Sequence, residues 1–190
     1  MEFLSEIHAK IYNHTSSVWC KIENKEYTYG DLESFIQWYT PAIDQTSGPI
    51  GLVLRDNFET YASIVACWMC GRPYVPIQPS YPESRITDIV ELSEIKYYLD
   101  SHSDAHHIDG LQCIEPWEEP KVIESPSVDE HDLAYILFTS GTTGKPKGVP
   151  ISFGNLQAFI EGFFDLGYEL DSNDKFLQMF ELTFDLSVMS

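Results

Sequence analysis

Positive charge is scarce in this sequence. Its 190 residues carry 11 Lys and Arg against 30 Asp and Glu, which gives a formal net charge of −19. A field of that sign repels a long polyanion, so we expect no binding to nucleic acid. A small anion remains compatible with the charge, because local backbone N–H groups outweigh the mean field at close range.

Long apolar runs are also missing. No stretch approaches the roughly 20 residues that cross a bilayer. The first residues, MEFLSEIHAKIYNH, hold acids where a signal peptide has a basic region followed by an apolar core. We therefore expect no membrane span and a cytoplasmic location.

Cysteine is too rare for a disulfide scaffold. Of four cysteines, Cys20 and Cys113 stand alone, whereas Cys67 and Cys70 form a C-x-x-C in IVACWMCG. Half of a metal site or a redox pair is one interpretation of this motif. Two core thiols one helical turn apart is the favoured one, because the surroundings are apolar and a second C-x-x-C is absent.

Three histidines fall in a polar, acidic and proline-rich stretch between residues 101 and 132: His102, His106 and His107. Together they would suggest a metal site. Histidines in an irregular exposed segment are more often solvated, and we expect this stretch to be a surface excursion rather than a domain boundary.

The remaining composition favours a folded α/β domain, with 43% hydrophobic and 14% aromatic residues. Apolar residues at helical spacing predict five helices. The first covers about residues 2–13, the second begins at Tyr29 or Gly30, and the third lies between a cap at Asp56 or Asn57 and Gly71. The fourth begins near Pro82, and the fifth follows a cap at Ser152. Short apolar runs predict a hairpin turning at Asn24–Lys25 and strands in PIGLVLR, IKYYLD, 133–138 and GVPI. The four prolines of PYVPIQPSYP, residues 73–82, predict a rigid extended loop. Strands and helices in alternation predict a layered αβα domain with a mainly parallel sheet.

A loop rich in glycine, threonine and lysine, TSGTTGKPKG at 139–148, directly follows the predicted strand 133–138. Ligands of parallel sheets bind at the carboxyl ends of strands, where this loop begins. Its glycines allow successive N–H groups to converge on an anion, and its hydroxyls and lysines add donors and charge. The spacing fits neither G-x-x-x-x-G-K-[ST] nor G-x-G-x-x-G. We expect the loop to bind a polyphosphate. A surface loop without a ligand is the alternative.

The string YILFTSGTTGKPKGV, residues 135–149, resembles the phosphate-loop motif of the adenylate-forming superfamily. That superfamily contains acyl-CoA synthetases, luciferases, adenylation domains of nonribosomal peptide synthetases and D-alanine:carrier-protein ligases. The strings YTYGDL (27–32), GRPYVPIQPSYPESRI (71–86) and FDLSVM (184–189) are similar to further motifs of these enzymes and occur in the same order. The resemblance implies ATP and Mg²⁺: a carboxylate attacks the α-phosphorus, pyrophosphate leaves, and the acyl group passes to a thiol.

The resemblance also assigns residues to roles. It implies that ATP phosphates are bound by Thr139, Ser140, Gly141, Thr142, Thr143, Gly144 and Lys147. Phe184 and Asp185 occupy the motif in which, in amino-acid-activating branches, the aspartate pairs with the substrate's α-ammonium; a loop cap is the alternative role for Asp185. Within those branches TFDLSVM is closest to D-alanine:carrier-protein ligases, which implies a phosphopantetheinyl carrier protein as partner, and stand-alone peptide-synthetase domains stay open.

Enzymes of this superfamily are much longer than 190 residues. Their adenine- and ribose-binding motifs, metal-binding glutamate and C-terminal catalytic lysine have no counterpart here. The expectation is that residues 1–190 form the N-terminal portion of the large adenylation domain, truncated before the adenine-binding motif and the C-terminal domain, with no catalytic residue and no activity alone. Two alternatives remain: part of a short-chain acyl-CoA synthetase, or a non-catalytic remnant used for interaction or weak nucleotide binding.

Overall fold

Helices and strands alternate along the computed structural model, which describes residues 2–101, 107–140, 145–171 and 174–183. The helices are α1 (Glu2–Asn13), α2 (Tyr29–Asp44), α3 (Phe58–Met69), α4 (Glu83–Ser93) and α5 (Phe153–Phe164). The strands are β1 (Val18–Ile22), β2 (Lys25–Thr28), β3 (Ile50–Val53), β4 (Tyr74–Ile77), β5 (Tyr97–Leu99), β6 (Gln112–Cys113), β7 (Leu133–Thr139) and β8 (Lys147–Ser152).

The main sheet has the strand order β6-β5-β3-β4-β7-β8. Neighbouring strands run parallel throughout, except that β8 is antiparallel to β7. The prediction of an α/β fold with a mainly parallel sheet is confirmed. Strands β1 and β2 form a separate antiparallel hairpin. Its turn falls on Glu23 and Asn24, one residue earlier than predicted, and Glu23 takes a positive φ of 52° there.

Alternating residues of the strands face two separate cores, one on each side of the sheet. Ile50 and Leu52 of β3 lie in a large core with apolar residues of α1, α2, α3 and α5. Val53 of the same strand lies in a smaller core with Ile86 and Ile89 of α4. Helices therefore cover both faces, which explains why β3 is a continuous apolar run with all its residues buried.

The proline-rich stretch contains a strand, so the prediction of a rigid loop over all of residues 73–82 is wrong. Tyr74–Ile77 forms β4 in the middle of the sheet, and all its residues are buried. Pro73 and Ile77 direct their carbonyls to β3, where they accept from Ile50 N and Leu54 N at 2.9 Å each. Because alternate residues of a strand turn to opposite neighbours, Pro76 faces β7, to which β4 is paired at Tyr74 opposite Tyr135. The missing N–H of Pro76 therefore removes no bond to β3.

Most predicted helix ends are confirmed. Asn57 is the N-cap of α3 and accepts from Thr60 N, and Gly71 just beyond that helix has a φ of +60°. Pro82 precedes the first residue of α4. Ser152 and Asn155 form a reciprocal capping box at the start of α5. Among the described residues, no helix has the length and apolar character needed to cross a membrane.

Replacing Ser152 by alanine should lower the free energy of unfolding by about 1 kcal/mol, because the substitution removes the side-chain acceptor for Asn155 N. Urea denaturation of both proteins measures the difference. Ser84→Ala is a matched control, since Ser84 is an exposed serine in the first turn of α4, and should change stability by less than about 0.5 kcal/mol. Equal losses in the two variants would contradict the capping role.

Candidate functional site

The candidate phosphate loop is the connection of an antiparallel hairpin. β7 runs parallel to β4 and ends at Thr139, so the connection starts at the carboxyl edge of the sheet. β8 then returns along β7, and Lys147 is the register partner of Thr139. Two residues that the sequence assigns to phosphate binding thus lie side by side on paired strands, an arrangement that the sequence alone did not indicate.

The predicted phosphate-binding residues are only partly described. Thr139 and Ser140 are exposed, as is Lys147 on the returning strand. Gly141, Thr142, Thr143 and Gly144 lie outside the described residues. Pro146 is buried between the exposed Lys145 and Lys147. The described part of the loop therefore presents hydroxyl groups and ammonium groups to solvent at one sheet edge.

Gly148 allows β8 to pack closely against β7 beside the loop. A Cβ atom at this position would lie 3.2 Å from Cζ of Phe138 and 3.3 Å from Cγ2 of Ile136, closer than most such contacts. Phe138 is itself buried against the smaller core. A larger residue at 148 would therefore displace the Phe138 ring or move β8 away from β7.

The rest of the hairpin is anchored by hydrogen bonds to the body of the domain. Indole Nε1 of Trp68 on α3 donates to Ala134 O on β7 at 3.1 Å. Beyond β8, Phe153 N donates to Asp132 O and Gly154 N to Glu130 O, both at 2.9 Å. The ends of the loop are consequently fixed by β7, β8 and the start of α5.

Phe184 and Asp185, the predicted amino-acid contacts, lie outside the described residues. The segment that leads to them is described up to Thr183, and Leu182 packs against the large core. A cavity of about 400 Å³ separates residues 178–182 from the ends of β3 and β4. Its other wall consists of Leu54, Arg55, Asp56, Tyr61 and Gln78.

One ion pair at this edge was missed in the sequence. Arg55 donates through Nε and Nη2 to the two carboxylate oxygens of Asp100, at 3.2 and 3.0 Å. The Asp100 side chain is 0% exposed and that of Arg55 is 26% exposed. Each residue directly follows an apolar strand run, PIGLVL or IKYYL, and that shared position was the available signal.

Cys67 and Cys70 lie at the end of α3 and are both free cysteines. Burial raises the pKa of the Cys67 thiol to about 12, and burial together with the nearby Asp44 carboxylate raises that of Cys70. Among described residues there is no group of three or more His, Cys, Asp or Glu side chains able to hold a metal ion. His107 is exposed beside Asp109, and His102 and His106 lie outside the described residues. Cys67 is buried, as expected for a core thiol, whereas Cys70 is only partly buried.

The α/β sheet thus presents Thr139, Ser140 and Lys147 at its carboxyl edge, which is the edge where ligands of open parallel sheets bind. Over residues 8–190 the chain matches the family of AMP-binding enzymes, and it belongs to that family. The resemblance to adenylate-forming enzymes is thereby confirmed.

Curated relatives include a carrier-protein ligase and a synthase. The chain is 32% identical to the D-alanine–D-alanyl carrier protein ligase of Bacillus licheniformis over 180 residues, which cover 88% of this chain and 35% of the relative. It is 32% identical to zwittermicin A synthase ZmaJ of Bacillus cereus over 150 residues, which cover 73% of this chain and 28% of the relative. The chain thus spans 35% or less of the length of these relatives.

Solved structures share the fold. The Vibrio cholerae adenylation domain AlmE, in complex with glycyl-adenosine-5'-phosphate, aligns with a TM-score of 0.80 and 20% identity, over 97% of this chain and 41% of that one. The Klebsiella oxytoca NpsA N-terminal subdomain, in complex with 3-hydroxybenzoyl-AMSN, aligns with a TM-score of 0.73 and 20% identity, over 98% of this chain and 48% of that one. At this identity the likeness establishes the architecture.

Cys67 should resist alkylation in the folded chain. The Cys67 side chain is fully buried, burial raises the pKa of its thiol, and the thiolate is the nucleophile, so we expect iodoacetamide to react far more slowly at pH 8 than in the unfolded chain. Timed labelling followed by mass spectrometry of the peptides measures both rates, with labelling in guanidinium as the control. Fast labelling of folded Cys67, or zinc bound by Cys67 and Cys70, would contradict a core role.

Proposed function

We propose that this chain is the N-terminal portion of the large adenylation domain of an ATP-dependent ligase that activates an amino acid. The observation that carries the proposal is the β7–β8 hairpin, which brings Thr139 and Lys147 together at the carboxyl edge of a parallel sheet. Hydroxyl and ammonium donors at that edge suit the oxygens of a polyphosphate. Membership of the AMP-binding enzyme family supports the same ligand.

The proposed reaction places negative charge next to this loop. A carboxylate oxygen of the substrate attacks the α-phosphorus of ATP, the bond from that phosphorus to the bridging oxygen breaks, and pyrophosphate leaves with the bond electrons. Catalysis of such a transfer depends on positioning and on electrostatic stabilisation of the phosphate oxygens. Lys147 supplies a positive charge, and Thr139 and Ser140 supply hydroxyl donors at the point where β7 ends. Gly141, Thr142, Thr143 and Gly144 complete the proposed phosphate loop.

Mg²⁺ would be held mainly by the nucleotide in this proposal. Mg²⁺ usually binds through one or two carboxylates together with substrate phosphates, and the described residues contain no cluster of three or more metal-ligating side chains. The donor set of the described loop, hydroxyl groups and lysines, fits a contact to the phosphates of an ATP–Mg²⁺ complex and not a protein cage for the ion.

Asp185 is proposed to select an amino acid. Its carboxylate would pair with the α-ammonium of the substrate, with Phe184 beside it, and would disfavour a fatty acyl chain. D-alanine is a candidate, since one relative is a D-alanine–D-alanyl carrier protein ligase. A phosphopantetheinyl carrier protein is then the proposed acceptor of the activated acyl group, through its thiol.

A longer protein that contains this chain should catalyse amino-acid-dependent exchange of labelled pyrophosphate into ATP. The exchange reports formation of an aminoacyl-adenylate, because only the reverse of that step incorporates the label. Short-chain fatty acids serve as the comparison substrates. Exchange supported by those acids alone would overturn the amino-acid assignment and favour an acyl-CoA synthetase. The 190 residues assayed by themselves are expected to show no exchange.

Lys147→Ala and Asp185→Ala should impair the longer protein in different ways. Loss of the Lys147 charge should reduce exchange with every amino acid, at a cost of about 1.5–3 kcal/mol in transition-state stabilisation. Loss of the Asp185 carboxylate should raise KM for the amino acid by a similar free energy and leave KM for ATP nearly unchanged. Steady-state kinetics with each substrate varied separately measures these constants.

Two controls sharpen this comparison. Lys175→Ala removes an exposed lysine outside the loop and should leave exchange unchanged. Asp185→Asn keeps the shape of the side chain without its charge, and should resemble Asp185→Ala if the ammonium contact is electrostatic. An Asp185 variant with a raised KM for ATP alone would show that the residue has a different role.

A further inference from the structure

Strand β7 has one residue more than the part of β8 that faces it. Leu133 is paired with Ser152. The next pair is Tyr135 with Ile151, so the register passes over Ala134. Ala134 and Tyr135 both lie in the large core although they are consecutive residues. This is the form of a β-bulge, in which an extra residue interrupts the ladder and bends the strand.

The bulge decides which residues meet beside the candidate phosphate loop. Beyond it the ladder pairs Thr139 with Lys147, and Phe138 with Gly148. Without the one-residue shift, Lys147 would lie opposite Phe138 and Thr139 would lie opposite Pro146. Directly opposed residues of antiparallel strands project from the same face. The bulge therefore brings the Thr139 hydroxyl and the Lys147 ammonium to one face of the hairpin.

The alternative register is unfavourable for Lys147. Phe138 is buried in the smaller core, and even a Cβ atom on Gly148, its present partner, would lie 3.2 Å from the ring. A lysine opposite Phe138 would direct an ammonium group toward this apolar core, at a high cost in solvation. The site thus depends on a register that is one residue out of step with the pairing at the open end of the hairpin.

A side chain from outside the hairpin binds the bulge. Ala134 is completely buried, so its carbonyl needs a hydrogen-bond donor from within the protein. Indole Nε1 of Trp68, on α3, donates to this carbonyl at 3.1 Å. The bond attaches the residue that shifts the register to a helix that belongs to the body of the domain.

The Trp68 ring also contacts the residue that follows β8. It meets the ring of Phe153, the first residue of α5, edge-on at a centroid distance of 6.4 Å, and Phe153 is completely buried. Phe3 of α1 and Tyr74 of β4 lie on the same indole, at 6.5 and 6.3 Å. Trp68 therefore holds both chain ends of the hairpin, at the bulge of β7 and just after β8.

We propose that Trp68 is a positioning residue for the phosphate site. Its N–H group holds the carbonyl at the bulge, the bulge sets the register of β7 and β8, and the register places Thr139 beside Lys147. The inference rests on the proposed function for the identity of the ligand, whereas the control of the register by Trp68 is independent of it.

Hydrogen exchange of the chain with Trp68→Phe tests the structural step. Phenylalanine keeps an aromatic ring at this position but has no N–H group to donate. We expect the ladder amides of β7 and β8 to exchange about ten times faster than in the parent chain, and those of the β3–β5 ladder to be unaffected. Trp19→Phe is the matched control, since Trp19 is also partly buried against the large core, and should leave both ladders unchanged.

Two results of this experiment would overturn the proposal. One is unchanged exchange in β7 and β8. The other is an equal increase in the β3–β5 ladder, because the substitution would then have lowered the stability of the whole domain and not that of the hairpin.

The kinetic test uses Trp68→Phe in the longer protein. Displacement of Thr139 and Lys147 should lower kcat/KM for ATP about tenfold and change KM for the amino acid less than about twofold. Trp19→Phe should leave both constants unchanged, and equal changes in both KM values with Trp68→Phe would count against a role at the phosphate side. If no amino acid supports pyrophosphate exchange, the proposed function fails, and hydrogen exchange still decides whether Trp68 holds the hairpin.

The indole proton of Trp68 gives a test that needs no variant, should Trp68→Phe not fold. In NMR spectra of the parent chain its signal is identified by its proximity to the ring protons of Phe153. A proton held by the Ala134 carbonyl should exchange with solvent at least about tenfold more slowly than the indole protons of Trp38 and Trp117, whose side chains are exposed. Equally fast exchange of all three would overturn the proposal.

Discussion

The antiparallel pairing of β8 with β7 is the constraint on which the candidate site depends. A loop of glycines and threonines has many conformations available, and the entropy of fixing it opposes ligand binding. Pairing Thr139 with Lys147 joins the two ends of the loop before any ligand arrives, and the buried Phe138 and Pro146 keep those ends in place. The hairpin thus leaves less conformational entropy to be lost when an anion is bound.

Much of the fold follows from local features of the sequence. The strands β3 and β7 are continuous apolar runs because both faces of a parallel sheet are covered. The side chains of Asn57 and Ser152 cap helices because their oxygens accept from N–H groups of the first helical turn. β4 shows where such reasoning fails. A proline costs a central strand a hydrogen bond only toward the neighbour that its nitrogen faces, and Pro76 faces β7, to which β4 is paired at Tyr74 opposite Tyr135. That direction is set by tertiary pairing.

The candidate site was predicted from the sequence less completely than the fold. The loop itself was found because its composition contrasts with the strand before it, and the resemblance to adenylate-forming enzymes gave its residues their roles. The return of β8 along β7 could not be read from the sequence. For Arg55 and Asp100 the sequence shows only that each follows an apolar strand run, and their pairing depends on strand order. Arg55 and Asp100 are 45 residues apart in the chain, and only the position of β5 next to β3 brings them together.

The capping box of α5 also affects the exposed edge of the sheet. β8 is the last strand in the order, so its outer backbone groups face away from β7. N–H groups of alternate residues point to the same side of a strand, so positions 148, 150 and 152 share one side. Pro150 has no N–H group, and the N–H group of Ser152 donates to Asn155 Oδ1. Gly148 alone retains an outward donor on this strand. An edge so depleted of donors is a poor template for a strand from another molecule, and the residues that start α5 therefore also discourage edge-to-edge aggregation of the sheet.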